Sequence, residues 1–267
     1  MTQKNNKIKN HKPNNIIFNI TGLLTYLFLY IPLIIIILYS FNDSRININW
    51  NGFTLKWYYI LFNDKDLINA AINSIIIAGI STAIAVILGS AAGIALHKYK
   101  LPLLSFLVMI PLAAPELIVG VALLLFFILI HFTLGLGSVI IAHTTFCISF
   151  VAIAVKTRMH GMDNSIIDAG RDLGANPLKT FYLILLPNIL PGIIAGGLMA
   201  FTLSIDDFII TFFTAGVGSS TLPLAIYSML KMGVTPEINA ISSIIIVFTL
   251  IITTITSKVS PQLFKAM

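Results

Sequence analysis

Three carboxylates, Glu116, Asp206 and Asp207, stand inside stretches that are otherwise apolar. An acid in a hydrocarbon setting is costly unless it faces a cavity or a partner, so such residues mark paths for ions or charged solutes. No Lys or Arg lies in the same stretches to neutralise them, so the charge they offer suits a cation. Neighbouring positions on a helix point about 100° apart, so Asp206 and Asp207 are not expected to share one role. The plainer reading, that one or both meet water at the outer edge of a membrane, stays open at this point. His131 and His143 could carry protons or ligate a metal, but they lack the i, i+4 spacing of a helical metal site, and hydrogen-bonded packing is the expectation. Cys147 is the single cysteine, so neither a disulfide framework nor a Cys-based metal site follows. No Gly-x-x-x-x-Gly-Lys-[Ser/Thr] run occurs and no nucleophile–base set can be read, so the chain is not expected to be an enzyme or to bind ATP itself.

A second polar island is Asp168-Ala169-Gly170-Arg171-Asp172-Leu173-Gly174, running on to Ile184-Leu185-Leu186-Pro187. Ser165 and Asp168 have capping-box spacing, so Ser165 is expected to cap a helix starting at Ile166. Gly174 supplies the left-handed residue that stops it. Asn176 then caps a second helix with Pro177 in its first turn, and Pro187 ends that helix or hands it into a membrane. Ala169, Gly170 and Gly174 leave little side chain on one surface, so the backbone of another chain could come close. The pattern reads as a docking knob between two membrane spans; an ordinary amphipathic connector is the plainer reading.

These residues must be held by apolar helices. Of 267 residues 57% are apolar and 10% charged, where a soluble domain carries about a quarter charged. Six runs are long enough for the roughly 20 residues that cross a bilayer: 16–41, 70–96, 102–130, 138–155, 188–213 and 238–257. The expectation is an all-α polytopic membrane protein, one domain over 1–267, with the knob at about 160–187. The charge-free run after Lys4, Lys7, Lys9 and Lys12 is too long for a signal-peptide core and reads as an anchor. Placing the N-terminus inside puts 12 Lys and Arg residues in the cytoplasm and 4 (Arg45, Lys56, Lys65, Lys231) outside, so both termini and the knob are expected to be cytoplasmic. The net charge of +6 comes from loops flanking the spans and does not point to nucleic acid. Pro111 and Pro115 are expected to bend the third run. Counted at 1.5 Å per residue, Glu116 falls roughly 21 Å beyond Pro102 and Asp206 roughly 27 Å beyond Asn188, which places the acids in the outer half of the membrane. The loop 42–69 carries Trp50, Phe53, Trp57, Tyr58 and Tyr59, either as an interfacial belt or as a mouth whose rings attract a cation.

The spacing acid-Ala-Gly, three residues, Gly, nine residues, Ile-x-Leu-Pro resembles the EAA loop of binding-protein-dependent ABC-importer permeases, with Asp168 where that family usually has Glu and Gly170 where it usually has Ala. Phe201-Thr202-Leu203-Ser204-Ile205-Asp206-Asp207-Phe208, the segment from Leu222 to Ala240, Ile48-Asn49-Trp50 and Lys56-Trp57-Tyr58 are similar to the permease family of spermidine/putrescine importers. The resemblance implies a six-span type I (MetI-like) permease fold and an inner-membrane location. It implies a substrate pathway at Glu116, Asp206 and Asp207 with Trp57 and Ser204 nearby, and ATPase coupling through Asp168, Ala169, Gly170, Gly174, Leu186 and Pro187. It also implies partners: a cytoplasmic ABC ATPase dimer that holds ATP and Mg, a second related permease, an outer polyamine-binding protein, polyamine itself and the lipid bilayer. Other solutes, and an ion-driven transporter of cations, remain as alternatives.

Overall fold

The structure is a computed structural model and describes residues 15–44, 49–163, 165–233 and 235–259. The N-terminal lysines, Arg45, Ile48, Val234 and Lys265 lie outside them. Among the described residues the regular structure is helical, apart from one isolated bridge between Asn42 and Phe53. The helices are α1 (Asn15–Tyr39), α2 (Lys56–Asn63), α3 (Lys65–Lys98), α4 (Pro102–Ala113), α5 (Glu116–Leu129) and α6 (Leu136–His160). After them come α7 (Ser165–Asp172), α8 (Pro177–Thr180), a π-helical turn (Phe181–Leu185), α9 (Leu186–Asp206), α10 (Ile209–Thr214), α11 (Leu222–Met232) and α12 (Pro236–Val259).

The centre is a sandwich of α3, α6 and α9, which pack on one another more than any other elements do. Lipid tails are as apolar as Leu, so such helices gain by close approach rather than by escaping water. Small residues provide it: a Cβ at Gly93 would stand 2.6 Å from the Ala152 carbonyl oxygen, and one at Gly196 would stand 2.9 Å from Val151 Cα. α3 starts where the Asp64 carboxylate accepts the amides of Asp66 and Leu67, and ends on His97 and Lys98, which suit the two poles of its dipole. α1 stands away from this centre and packs against α12.

Four helical stretches are long and apolar enough to cross a membrane: Phe18–Tyr39, Lys65–Lys98, Leu136–His160 and Pro177–Asp206. The α4–α5 pair counts as a fifth if the two are one span. The sixth expected run falls in α12, whose described apolar stretch, Pro236–Ile251, is shorter than a span. Three expectations need correction. The third run bends at its prolines as expected but is two helices rather than one, because α5 turns 114° away from α4. Pro115 forces Ala114 into an extended conformation (φ −79°, ψ 138°), which no helix can continue through. The fifth run starts earlier than 188, because α8 passes through the π-helical turn directly into α9. It also stops earlier than 213, because the chain is extended at Asp207 (ψ 125°) before α10 begins.

Candidate functional site

The two interruptions meet. Pro111, Glu116 and Val119 from α4 and α5, and Leu203, Asp206, Asp207 and Phe208 from the α9–α10 break, line one cavity of about 470 Å³. α6 closes its wall with Phe146 and Phe150, two rings one helical turn apart. Glu116 and Asp206 are exposed. α4 and α9 end and α5 and α10 begin at this cavity, so helix poles of both signs meet here and the carboxylates set the net charge. Broken helices whose ends face a solute are a recurring device of membrane transport proteins. The field in this cavity therefore favours a cation, and the three rings give an apolar stem something to lie against.

Asp207 differs from its neighbour because the chain leaves the helix there, not because adjacent helical positions diverge. Its side chain is 5% exposed. Oδ2 accepts from the Thr211 amide at 2.8 Å and from the Thr211 hydroxyl at 2.9 Å, and lies 3.2 Å from His143 Nε2. Oδ1 accepts weakly from the Ile210 amide at 3.4 Å. Asp207 thus caps α10 with its side chain, so its oxygens are largely occupied. His143 is fully buried, with Nδ1 2.7 Å from Ser204 Oγ and Nε2 2.9 Å from Thr211 Oγ1. This network assigns the tautomer: Nε2 carries the proton and faces Asp207 and Thr211, while Nδ1 accepts from the Ser204 hydroxyl. The expected packing role of His143 holds.

Of the five expected pathway residues, then, the structure brings Glu116, Asp206 and Asp207 to one cavity. Ser204 is buried behind Asp207 and reaches it only through His143. Trp57 does not reach the cavity. It is 3% exposed, packs with Leu61, Leu67, Ala240 and Ile241, and donates Nε1–H to the Asn42 carbonyl at 2.8 Å. Nearby, the Phe41 ring stacks on Phe53 and contacts Tyr58, whose hydroxyl meets Ser40 Oγ at 2.7 Å. These rings form a cap around Trp57 rather than a mouth, although Trp50, Phe53 and Tyr59 remain exposed. Phe146, Phe150 and Thr211 escaped the sequence reading. The i, i+4 spacing of the two phenylalanines and of Asp207 with Thr211 was the available signal.

The knob has the expected two helices with different ends. Asp163, not Ser165, caps α7: its carboxylate accepts the Ser165 amide at 2.9 Å. That bond holds Asp163 below the usual carboxylate range, so the cap is present at neutral pH and is lost as pH falls through the lowered value. Gly174 is left-handed (φ 81°). Its amide bonds to the Arg171 carbonyl at 2.8 Å and the next amide bonds to the Gly170 carbonyl at 3.1 Å, the paired bonds of a Schellman stop. Asn176 caps α8 by accepting the Lys179 amide at 2.8 Å. Gly170 departs from expectation, since it is buried and a Cβ there would overlap Ile184 Cδ1 of the π-helical turn. It joins the knob to its own stem and offers no outward surface. The outward surface is instead Asp168, Ala169, Leu173 and Leu178, with Leu173 89% exposed. A cavity of about 490 Å³, lined by His97, Lys98, Asp168 and Arg171 among others, separates the knob from the ends of α3 and α6.

A bundle this apolar, broken where its acids stand, serves passage of a solute through a membrane, and its class is that of a membrane permease. The chain belongs to the family described as "Binding-protein-dependent transport system inner membrane component", which matches residues 85–264. It is 40% identical over 229 residues to the "Spermidine/putrescine transport system permease protein PotC" of Escherichia coli (strain K12), covering 85% of this chain and 87% of that protein. It is 39% identical over 234 residues to the "Putrescine transport system permease protein PotI" of the same organism, covering 84% and 83%. In fold it is similar, with TM-score 0.70 and 16% identity, to a chain of a bacterial ABC transporter involved in the import of the acidic polysaccharide alginate, covering 91% of this chain and 95% of that one.

Proposed function

We propose that this chain is a translocation subunit of an ATP-driven importer for polyamines. One observation carries the reading: Glu116 and Asp206 open into one cavity that no Lys or Arg lines among the described residues. A polyamine is a set of ammonium groups joined by methylenes, so it needs separated carboxylates and an apolar or aromatic wall between them. The similarity to spermidine and putrescine permeases supports the same substrate class. Asp207, backed by His143, Thr211 and Ser204, holds the break in shape and adds charge from behind. Trp57 steadies the outer cap.

Coupling runs through the knob. Asp168, Ala169 and Leu173 meet a cytoplasmic ATPase dimer, which binds ATP and Mg; this chain supplies no nucleotide site. Gly174 stops α7, Gly170 locks the knob to its stem, and Leu186 and Pro187 carry its movement into α9. Residues 1–267 act as one permease domain beside a second related permease, fed by an outer polyamine-binding protein, with both termini in the cytoplasm. The test is uptake of labelled putrescine and spermidine by vesicles carrying all subunits. ATP-dependent accumulation is expected. Uptake driven by an ion gradient without ATP, or none at all, overturns the reading.

A further inference from the structure

Asp206 stands in the wall between two cavities. The second, about 230 Å³, lies among α3, α9, α11 and α12, and Ala71, Ile205, Ile245 and Phe248 supply much of its wall. Asp206 is the one charged residue that lines it among the described residues. The other polar groups of its wall are the neutral hydroxyls of Ser74, Thr202 and Thr249; Ser74 Oγ accepts the Leu222 amide at 2.8 Å and Thr202 Oγ1 donates to the Leu198 carbonyl at 2.9 Å. The two cavities therefore ask for different cations. The first presents Glu116 and Asp206 and suits a molecule with two or more ammonium groups. The second presents one carboxylate and an apolar interior, and suits one ammonium group with a hydrocarbon tail.

We infer that this second compartment binds monoalkylammonium ions, with the ammonium on Asp206 and the tail among Ile205, Ile245 and Phe248. The inference rests on the reading of Asp206 as a cation anchor. Because one carboxylate serves both cavities, such an ion excludes a polyamine from the first without itself meeting Glu116. Alkylammonium ions are then competitive inhibitors whose potency grows with chain length.

The experiment compares ethyl-, butyl-, hexyl- and octylammonium with the matching n-alcohols on the assembled importer. One readout is inhibition of labelled putrescine uptake; the other is the shift in thermal unfolding of the purified complex. Each methylene buried in an apolar site lowers the half-effective concentration about three- to fourfold, and the alcohols are expected to be much weaker. Asp206→Asn should erase the difference between amine and alcohol. Ala71→Leu and, independently, Ile245→Phe should fill the compartment and abolish the chain-length dependence while putrescine uptake stays at the parental rate. Equal potency of alcohols and amines would show a site for hydrocarbon only and overturn the inference. Chain-length dependence that survives both filling variants would trace it to the bilayer and overturn it as well. If putrescine uptake depends on ATP but alkylammonium ions have no effect, this inference fails alone. If putrescine is not taken up but the Asp206-dependent thermal shift persists, the transport reading fails alone.

Discussion

Two adjacent aspartates with different surroundings call for different experiments. Asp206 is exposed to the cavity. At an effective dielectric of about 20, a charge pair 4 Å apart is worth about 4 kcal/mol before desolvation. Asp206→Asn is therefore expected to weaken polyamine transport by about 1–3 kcal/mol, roughly 5- to 150-fold at sub-saturating substrate, with assembly intact. Parental transport by this variant would remove the main physical support for the substrate path. Asp207 is held by Thr211 and His143, so the loss on Asp207→Asn should appear first in stability. His143→Ala takes the ring from beside Asp207, which keeps its bonds from Thr211 and Ile210, and leaves the buried Ser204 hydroxyl without its acceptor. Leaving a buried polar group unpaired costs about 1–3 kcal/mol, to be read as a lower unfolding temperature of the purified complex. An unchanged unfolding temperature would show that the network does not hold the break.

Among the elements, the knob and the broken helices govern behaviour. Gly174→Val places a β-branched residue at φ 81°, with strain of about 1–2 kcal/mol and no neighbour within 4 Å of the new Cβ to blame for it. The expected result is a complex that assembles but moves less substrate per ATP hydrolysed; normal coupling would argue against the knob. Gly170→Ala is the matching control. Its Cβ meets only the flexible tip of Ile184, so a rotamer change accommodates it and coupling should stay near normal. Pro115→Ala removes the restriction on Ala114 that separates α4 from α5. If that break shapes the cavity, the variant should insert normally yet lose putrescine uptake, measured in the same vesicles.

For the molecule as a whole, most of the described basic residues gather at one end. Lys98 and Lys156 flank the contact of His97 with His160, whose Nδ1 atoms lie 2.9 Å apart, and Arg171 and Lys179 sit in the adjoining knob. Lys56 and Lys65 lie at the opposite end, where α3 starts. A reporter fused after Lys265 or within 176–179 is expected to report cytoplasm, and one within 43–64 the outer side. An outer position for Lys179 would overturn the orientation and the docking reading together. Co-purification of a P-loop ATPase that is lost when the outward knob residues Ala169 and Leu173 are made bulky and charged would locate the contact.

Hydropathy and local caps depend only on neighbours in the chain, so the sequence alone determined that the protein is helical and membrane-embedded. It also marked the acids that break the apolar runs, and a two-helix knob stopped at Gly174 and restarted at Asn176. Partnerships between distant segments decided the rest. Which aspartate stays open depends on His143, delivered by α6, and on Thr211 across a break that hydropathy cannot see, because both sides of it are equally apolar. The direction of α5 depends on packing with α10 as well as on Pro115. Trp57 reads from its type as a belt or mouth ring, and from the resemblance as a neighbour of the pathway, yet the Asn42 carbonyl and the residues of α12 draw it into the outer cap. Gly170 reads as a bare docking surface from its size, yet Ile184, on the π-helical turn that follows, fills the space its missing Cβ leaves.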